Sequence, residues 1–155
     1  MEEKVRWLTP EEQQAWRSFL RLHDRLRGRL SRLLQAESNV SAADFGVLVE
    51  LTDTPDGRRR ILDLARALEW EKSRMSHHIG RMVKRGLVVR DECAEDGRGA
   101  FVVITDAGRA MIEAAAPRHV EAVRDLFLDH ITPAELRTLA RVSERVVEKL
   151  DEDPS

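Results

Sequence analysis

The stretch Trp70–Arg90, WEKSRMSHHIGRMVKRGLVVR, decides the fold that we expect for this chain. From Lys72 to Arg90 it contains no Asp or Glu, although the whole chain of 155 residues has a formal net charge of -2. Its apolar residues recur at helical spacing and form one stripe: Met75, Ile79, Met82 and Val83. The polar residues, His77 and His78 among them, are left on the other faces. The stretch therefore predicts a helix that packs on a core and presents basic side chains outward.

A β-hairpin is predicted directly after this helix. Gly86 follows the last periodic residue, where glycine takes a left-handed C-cap without strain. Leu87–Val89 and Ala100–Ile104 are β-prone runs, and the polar loop 91–99 between them contains two glycines. A basic helix followed by such a hairpin is the outline of a winged helix-turn-helix. In that arrangement the helix enters the major groove of DNA, while the hairpin contacts phosphates or the adjacent minor groove.

Capping residues mark four further helix starts: Thr9–Glu12, Ser41–Asp44, Thr105–Gly108 and Thr132–Glu135. We interpret the first, second and fourth as capping boxes. The first opens a long helix over 10–36. The third opens a helix whose apolar period runs past Pro117 to Ile131, with a kink or restart at the proline.

The remaining central segment joins the second helix to the basic one. Arg58–Arg60 follows a turn signal and is interpreted as a solvated basic tip, with a phosphate contact as the alternative. Residues 61–68 suit a short buried helix that pairs with the basic helix as the helix-turn-helix. Counted over 55–104, eleven Lys and Arg stand against eight Asp and Glu, so this unit is basic on an otherwise acidic chain.

The length predicts a single domain, 1–155, that is mainly α with a small β-hairpin wing. The winged helix-turn-helix unit spans 40–104. The helices within 5–36 and 105–150 have apolar stripes wider than that unit can cover, so we interpret them as dimerisation helices. A homodimer would place two basic helices about 34 Å apart, which suits a pseudopalindromic DNA site. The six arginines of the first helix are interpreted as a solvated face, with a second DNA surface as the alternative: Arg17, Arg21, Arg25, Arg27, Arg29 and Arg32.

Catalytic and membrane functions have little support in the sequence. The five histidines form no HExxH, and the chain has no CxxC, no Gly-x-Ser-x-Gly and no Gly-rich phosphate loop. We therefore expect no enzyme activity, no metal and no cofactor. No apolar run approaches the roughly 20 residues of a membrane span, and the start is unlike a secretory signal, so we expect a cytoplasmic protein without membrane contact.

Together these segments resemble the multiple-antibiotic-resistance regulator (MarR) family of bacterial winged-helix transcription factors. The parts that carry the resemblance are the Leu62–Leu68 helix, Ser73 and Ser76 of the basic helix, Gly86-Leu87-Val88 followed by Arg90, Asp96-Gly97-Arg98, and Ile104-Thr105 followed by Gly108. The resemblance implies that Arg98 enters the minor groove while Asp96 holds it in place. The paired histidines depart from the family pattern, so base preference does not transfer.

Residues and resemblance together give one set of expected DNA contacts: Lys72, Ser73, Arg74, Ser76, His77, His78, Arg81, Lys84, Arg85, Arg90, Asp96 and Arg98. The expected function is that of a ligand-responsive transcriptional regulator, most often a repressor. The alternative is a helical dimerisation or adaptor protein that kept the fold and lost its DNA site.

The family resemblance also implies a pocket for a small aromatic or phenolic effector. Trp16, Phe19, His23 and Trp70 are its candidate residues by placement, with core packing as the other interpretation for Trp16 and Phe19. Cys93, the single cysteine, is interpreted as an incidental thiol rather than an oxidant sensor, because it lies in the wing.

Overall fold

Six α-helices and a three-stranded antiparallel sheet make up the part of the chain, residues 4–92 and 99–152, that this computed structural model describes. In chain order the elements are α1 (Pro10–Ser38), α2 (Ala42–Thr52), β1 (Arg58–Arg60), α3 (Ile61–Ala67), α4 (Lys72–Lys84), β2 (Val88–Asp91), β3 (Phe101–Ile104), α5 (Asp106–Leu126), a 3-10 turn (Leu128–His130) and α6 (Pro133–Glu152). The chain divides into two compact units, one ending at His119 and one starting at Val120. Within the described ranges, no helix is both long enough and apolar enough to span a membrane.

Two of the predicted helix starts are reciprocal capping boxes. The Thr9 hydroxyl accepts from the Glu12 amide at 3.1 Å, and the Glu12 carboxylate accepts from the Thr9 amide at 3.0 Å. Thr132 and Glu135 repeat both bonds, at 3.2 Å and 3.0 Å. Each box satisfies two backbone amides that a helix start otherwise leaves without a partner. The predicted starts of α1 and α6 are therefore confirmed.

At the start of α2, only one of the two hydrogen bonds of a capping box forms. The Ser41 hydroxyl accepts from the Asp44 amide at 3.0 Å, as expected. The Asp44 carboxylate, however, pairs with His78 in the middle of α4 and with Arg85 just after that helix. The expectation that this carboxylate completes the cap is therefore wrong.

Helix α5 starts at a cap that also fastens it to the preceding turn. The Thr105 hydroxyl accepts from the Gly108 amide at 3.1 Å and donates to the Gly86 carbonyl at 2.6 Å. The helix then runs through Pro117 without a break and ends at Leu126. A restart at the proline and a helix reaching Ile131 are thus both wrong. A proline removes its own amide donor while the other bonds of a long helix can remain.

The β2–β3 hairpin is confirmed, but it has a third strand that we did not predict. Arg58–Arg60 forms β1 and pairs with β3, so the strand order is β1-β3-β2. Arg58 forms an ion pair with Asp91 at 3.2 Å, and its guanidinium carbon lies 4.0 Å from the Phe101 ring centroid. Arg59 pairs with Glu50. The interpretation of this triplet as a solvated tip is wrong, because backbone pairing and these side-chain contacts keep it half-buried.

The core joins α2, α3, α4 and the hairpin through fully buried side chains: Val47, Leu48, Leu51, Leu64, Met75, Ile79, Met82, Val88 and Val102. Three of the four residues in the predicted α4 stripe belong to it, while Val83 is 36% exposed. Gly86 ends the helix at φ +76°, in the left-handed region where glycine is unstrained. The core therefore fixes one face of α4 and leaves its basic faces outward.

Candidate nucleic-acid interface

Helix α4 presents an acid-free, basic surface to solvent. Seven of its predicted contact residues are exposed at or just after the helix: Lys72, Ser73, Arg74, His77, Arg81, Lys84 and Arg85. Ser76 is half-buried. All residues of α4 and its N-cap Glu71 are described, and neither a side-chain cap nor an acidic residue is found in its first turn. We call the seven exposed residues the basic α4 surface.

His78 does not belong to that surface. It is 7% exposed, and its Nε2 lies 2.9 Å from Oδ1 of Asp44, which is itself 2% exposed. The prediction that His78 points outward is wrong. Position 78 is three residues after Met75 and four before Met82, both of which are on the buried stripe, so the spacing was a signal that His78 could be buried.

Asp44 is a site residue that the sequence reasoning missed. Its Oδ2 lies 2.5 Å from Nη1 of Arg85. Burial by itself raises the pKa of Asp44, but the contacts with His78 and Arg85 outweigh burial and lower it from 3.8 to about 2. Asp44 is therefore a buried carboxylate ion at neutral pH, and part of the Arg85 charge is balanced inside the protein.

Two arginines of the basic α4 surface have partners inside the chain: Arg81 contacts His78, which is buried against Asp44, and Arg74 contacts Trp70. Arg81 places Nη2 3.3 Å from Nδ1 of His78. Trp70 meets the edge of the His78 ring, with ring centroids 5.3 Å apart and planes at 84°. The guanidinium carbon of Arg74 lies 4.0 Å from the centroid of the Trp70 ring, in cation–π geometry. These contacts line one side of a cleft of about 470 Å³ between α2 and α4.

The hairpin is tied directly to α4. Nη2 of Arg90 donates to the Ser76 carbonyl at 2.7 Å and to the Ser76 hydroxyl at 3.3 Å. Arg90 is exposed, so it stands beside the basic α4 surface while holding the first wing strand against the helix. The expected wing contacts Asp96 and Arg98, as well as Cys93, lie outside the described residues.

Three of the four residues proposed for an effector pocket share one face of α1. The ring centroids of Trp16 and Phe19 are 6.0 Å apart, and those of Phe19 and His23 are 6.4 Å apart. Trp16 and Phe19 are each 53% exposed, so core packing within the chain is wrong for both. Trp70 instead contacts residues of α4.

The α3–α4 pair, the basic second helix and the adjoining antiparallel hairpin define a winged helix-turn-helix protein. A family model described as MarR family matches residues 38–99. Among solved structures, AbsC, a MarR family transcriptional regulator from Streptomyces coelicolor, is 38% identical, and the match covers 96% of this chain and 100% of that one with a TM-score of 0.88. Sco3205, a MarR family transcriptional regulator from the same organism solved in complex with DNA, is 37% identical over 96% of this chain and 93% of that one, also with a TM-score of 0.88.

A third structure, a mutant MarR from E. coli complexed with operator DNA, is 24% identical. The match covers 81% of this chain and 91% of that one, and the TM-score of 0.67 shows the shared fold. A comparison with curated proteins found no match. The chain belongs to the MarR family of winged-helix transcriptional regulators. Family membership confirms the predicted fold class and the prediction that the chain is not an enzyme.

Proposed function

We propose that this protein is a homodimeric transcriptional repressor that binds a pseudopalindromic operator and releases it in response to a small molecule. The observation that carries the proposal is the basic α4 surface, which is exposed, free of acids and supported from behind by the core. DNA phosphates are the partner that such a surface suits. The DNA complex of Sco3205, a 37% identical relative, supports the same partner. Such a regulator works in the cytoplasm, where the DNA is.

The contact residues divide by role. Lys72, Lys84 and Arg90 neutralise phosphates and carry affinity that is independent of sequence. Arg81 is exposed in the C-terminal half of α4, and we assign to it the reading of a base edge in the major groove. Arg85 contributes less to phosphate binding than a free arginine, because Asp44 already balances part of its charge.

The remaining expected contacts keep the roles that the sequence suggested. We assign base readout to Ser73, Arg74, Ser76 and His77, and a minor-groove contact to Arg98 with Asp96 behind it. His78 leaves the list of DNA contacts because it is buried.

A second copy of the chain suits the apolar faces that one copy leaves exposed. On α1 these are Trp16, Phe19, Leu20 and Leu22. Helix α6, which is described in full, buries none of its residues. Its exposed stripe consists of Leu136, Leu139, Val142, Val146, Val147 and Leu150. Stripes of this size on a soluble regulator indicate an oligomer interface, and a two-fold dimer presents two α4 helices to successive major grooves.

The effector that we propose is a small aromatic or phenolic molecule. Its support is the exposed aromatic group of Trp16, Phe19 and His23 on α1, a helix that we also assign to the dimer interface. A molecule bound there could change the spacing of the two α4 helices and so weaken DNA binding.

The alternative function is a winged-helix adaptor that no longer binds DNA. The net charge of -2 favours it, since many DNA-binding proteins are basic throughout. The basic α4 surface opposes it, because an adaptor has no need to exclude acids from that face.

Selection of duplexes from a random pool tests the two functions. The pool should span about 30 base pairs, which holds two half-sites one helical turn apart. We expect the protein to enrich a pseudopalindrome and to bind it with a steep salt dependence. If no sequence is enriched and the pool binds as weakly as a shuffled duplex, the repressor proposal fails and the adaptor takes its place.

A further inference from the structure

We infer that Asp44 and His78 form a positioning pair that orders Arg81 and Arg74 before DNA arrives. The inference rests on the proposed DNA binding and assigns to it two residues that need not touch DNA. The pair starts at a carboxylate buried at the beginning of α2 and ends at two guanidinium groups on the basic α4 surface.

The tautomer of the neutral His78 ring is indicated by its two neighbours. A guanidinium has donors and no acceptor, so the 3.3 Å contact between Arg81 Nη2 and His78 Nδ1 is a hydrogen bond only if Nδ1 carries no proton. The proton of the neutral ring is then on Nε2, which faces Oδ1 of Asp44 at 2.9 Å. Nε2 makes no hydrogen bond within the described residues, so the influence of Asp44 is electrostatic: its negative charge beside Nε2 favours the tautomer that leaves Nδ1 as an acceptor for Arg81.

The same imidazole also supports the second arginine. Its edge packs on Trp70 with the two ring centroids 5.3 Å apart, and this contact fixes the plane of the indole ring. Arg74 lies over the Trp70 ring at 4.0 Å. One buried ring thus holds Arg81 by a hydrogen bond and Arg74 through an aromatic intermediary.

Arginine side chains lose considerable rotamer freedom when a binding partner orders them. Because the positioning pair orders two of them in the free protein, DNA binding no longer bears that entropic cost. The pair adds no charge to the surface. It should therefore raise affinity for the cognate sequence, where guanidinium geometry matters, and leave sequence-independent phosphate binding unchanged.

His78→Met and His78→Gln separate positioning from packing. Methionine fills similar space without an acceptor, whereas the glutamine amide can donate to Asp44 and accept from Arg81. We expect His78→Met to bind the selected duplex about tenfold more weakly, the loss expected for ordering two long side chains on binding. We expect His78→Gln to stay within about twofold of the parent, and both variants to keep the salt slope and the affinity for a shuffled duplex.

A double-mutant cycle with Arg81→Ala shows whether His78 acts through Arg81. If it does, most of the His78→Met loss disappears when Arg81 is already alanine. Undiminished loss in that background, equal losses for His78→Met and His78→Gln, or no loss at all for His78→Met would each overturn the inference.

Asp44→Asn gives a second route if His78→Met does not fold, because it removes the charge that selects the tautomer and keeps the side-chain shape. Thermal unfolding of every variant shows which of them are folded. Because Asp44→Asn also frees Arg85 and should raise phosphate binding on both duplexes, the readout is the ratio of cognate to shuffled affinity. An unchanged ratio in a folded Asp44→Asn protein counts against the inference. Failure of the parent to enrich any sequence counts against the proposed function instead.

Discussion

Arg90 on strand β2 donates to the Ser76 carbonyl of helix α4 at 2.7 Å, so the wing and the basic helix are joined by a side chain that also faces solvent. Arg90→Ala removes both this hydrogen bond between wing and helix and the proposed phosphate contact. We expect the unfolding free energy to fall by about 1 kcal/mol, since the bond is exposed. Affinity should fall alike on selected and shuffled duplexes, and the salt slope should shrink by about 0.9.

Arg90→Lys is the matched control for that experiment. It keeps the positive charge and should keep the salt slope, while it loses the guanidinium nitrogen Nη2 that donates to Ser76. Denaturant unfolding and a salt series on both duplexes measure the two effects. An unchanged salt slope in Arg90→Ala would remove Arg90 from the phosphate contacts.

Arg81→Ala and Lys84→Ala test the proposed roles of a base-reading arginine and a phosphate-binding lysine on the same helix. If Arg81 makes a bidentate guanine contact, Arg81→Ala should reduce discrimination between selected and shuffled duplexes by about 1–3 kcal/mol. Lys84→Ala should weaken both duplexes equally. Competition binding with both duplexes measures the difference. If Arg81→Ala lost the same affinity for the selected and the shuffled duplex, Arg81 would read no base.

Acid stability should depend on Asp44. Its pKa is about 2 in the folded protein and 3.8 without these contacts, so the folded state holds the ionised form more tightly. The resulting stabilisation is complete above the unfolded value and is lost as pH falls toward the folded value. Between pH 5 and pH 2 the unfolding free energy of the parent should fall by about 2 kcal/mol because of Asp44. Asp44→Asn lacks this contribution at every pH, so the two unfolding free energies should converge as the pH falls. Urea unfolding at several pH values measures this convergence, and a constant difference between the two proteins would contradict it.

The α6 stripe is tested by a charge at its centre. If the proposed dimer forms through this stripe, Leu139→Glu should give a folded monomer. Leu139 is 38% exposed in the single chain, and a carboxylate is costly to bury between two copies. Helix periodicity places Glu148 on the opposite side of α6, so Glu148→Lys is the control and should remain dimeric. Analytical ultracentrifugation gives the mass, and circular dichroism shows that the helices persist. Equal masses for Leu139→Glu and the parent would show that this stripe is not the interface.

The features that could be predicted from the sequence were those that depend on residues close together in the chain. The Thr9–Glu12 and Thr132–Glu135 boxes use bonds three residues apart, so the residue types identify them directly. The apolar stripe of α4 is local in the same sense. Its prediction failed at Val83 and His78, where the spacing fits either face until the neighbours of the helix are known.

Contacts between distant segments account for the other errors. Arg58–Arg60 becomes a strand because β3 lies beside it, more than forty residues later in the chain. Asp44 has a capping position in sequence, yet its carboxylate is directed to Arg85, which is 41 residues away. Neither pairing has a signature in the residues near it, so a single sequence could not predict the third strand or the buried carboxylate.

The uncapped start of α4 has a consequence for how this helix exchanges its amide protons. Glu71 provides no side-chain bond to the first turn, and Lys72 and Arg74 place positive charge at the helix end where a negative charge is favoured. In the free protein the backbone amides of the first turn of α4 have only water as a partner, and they should exchange within the fast phase of a hydrogen–deuterium exchange experiment. A DNA phosphate at this end would provide the missing acceptor. Binding of an operator would then slow amide exchange in the first turn of the helix.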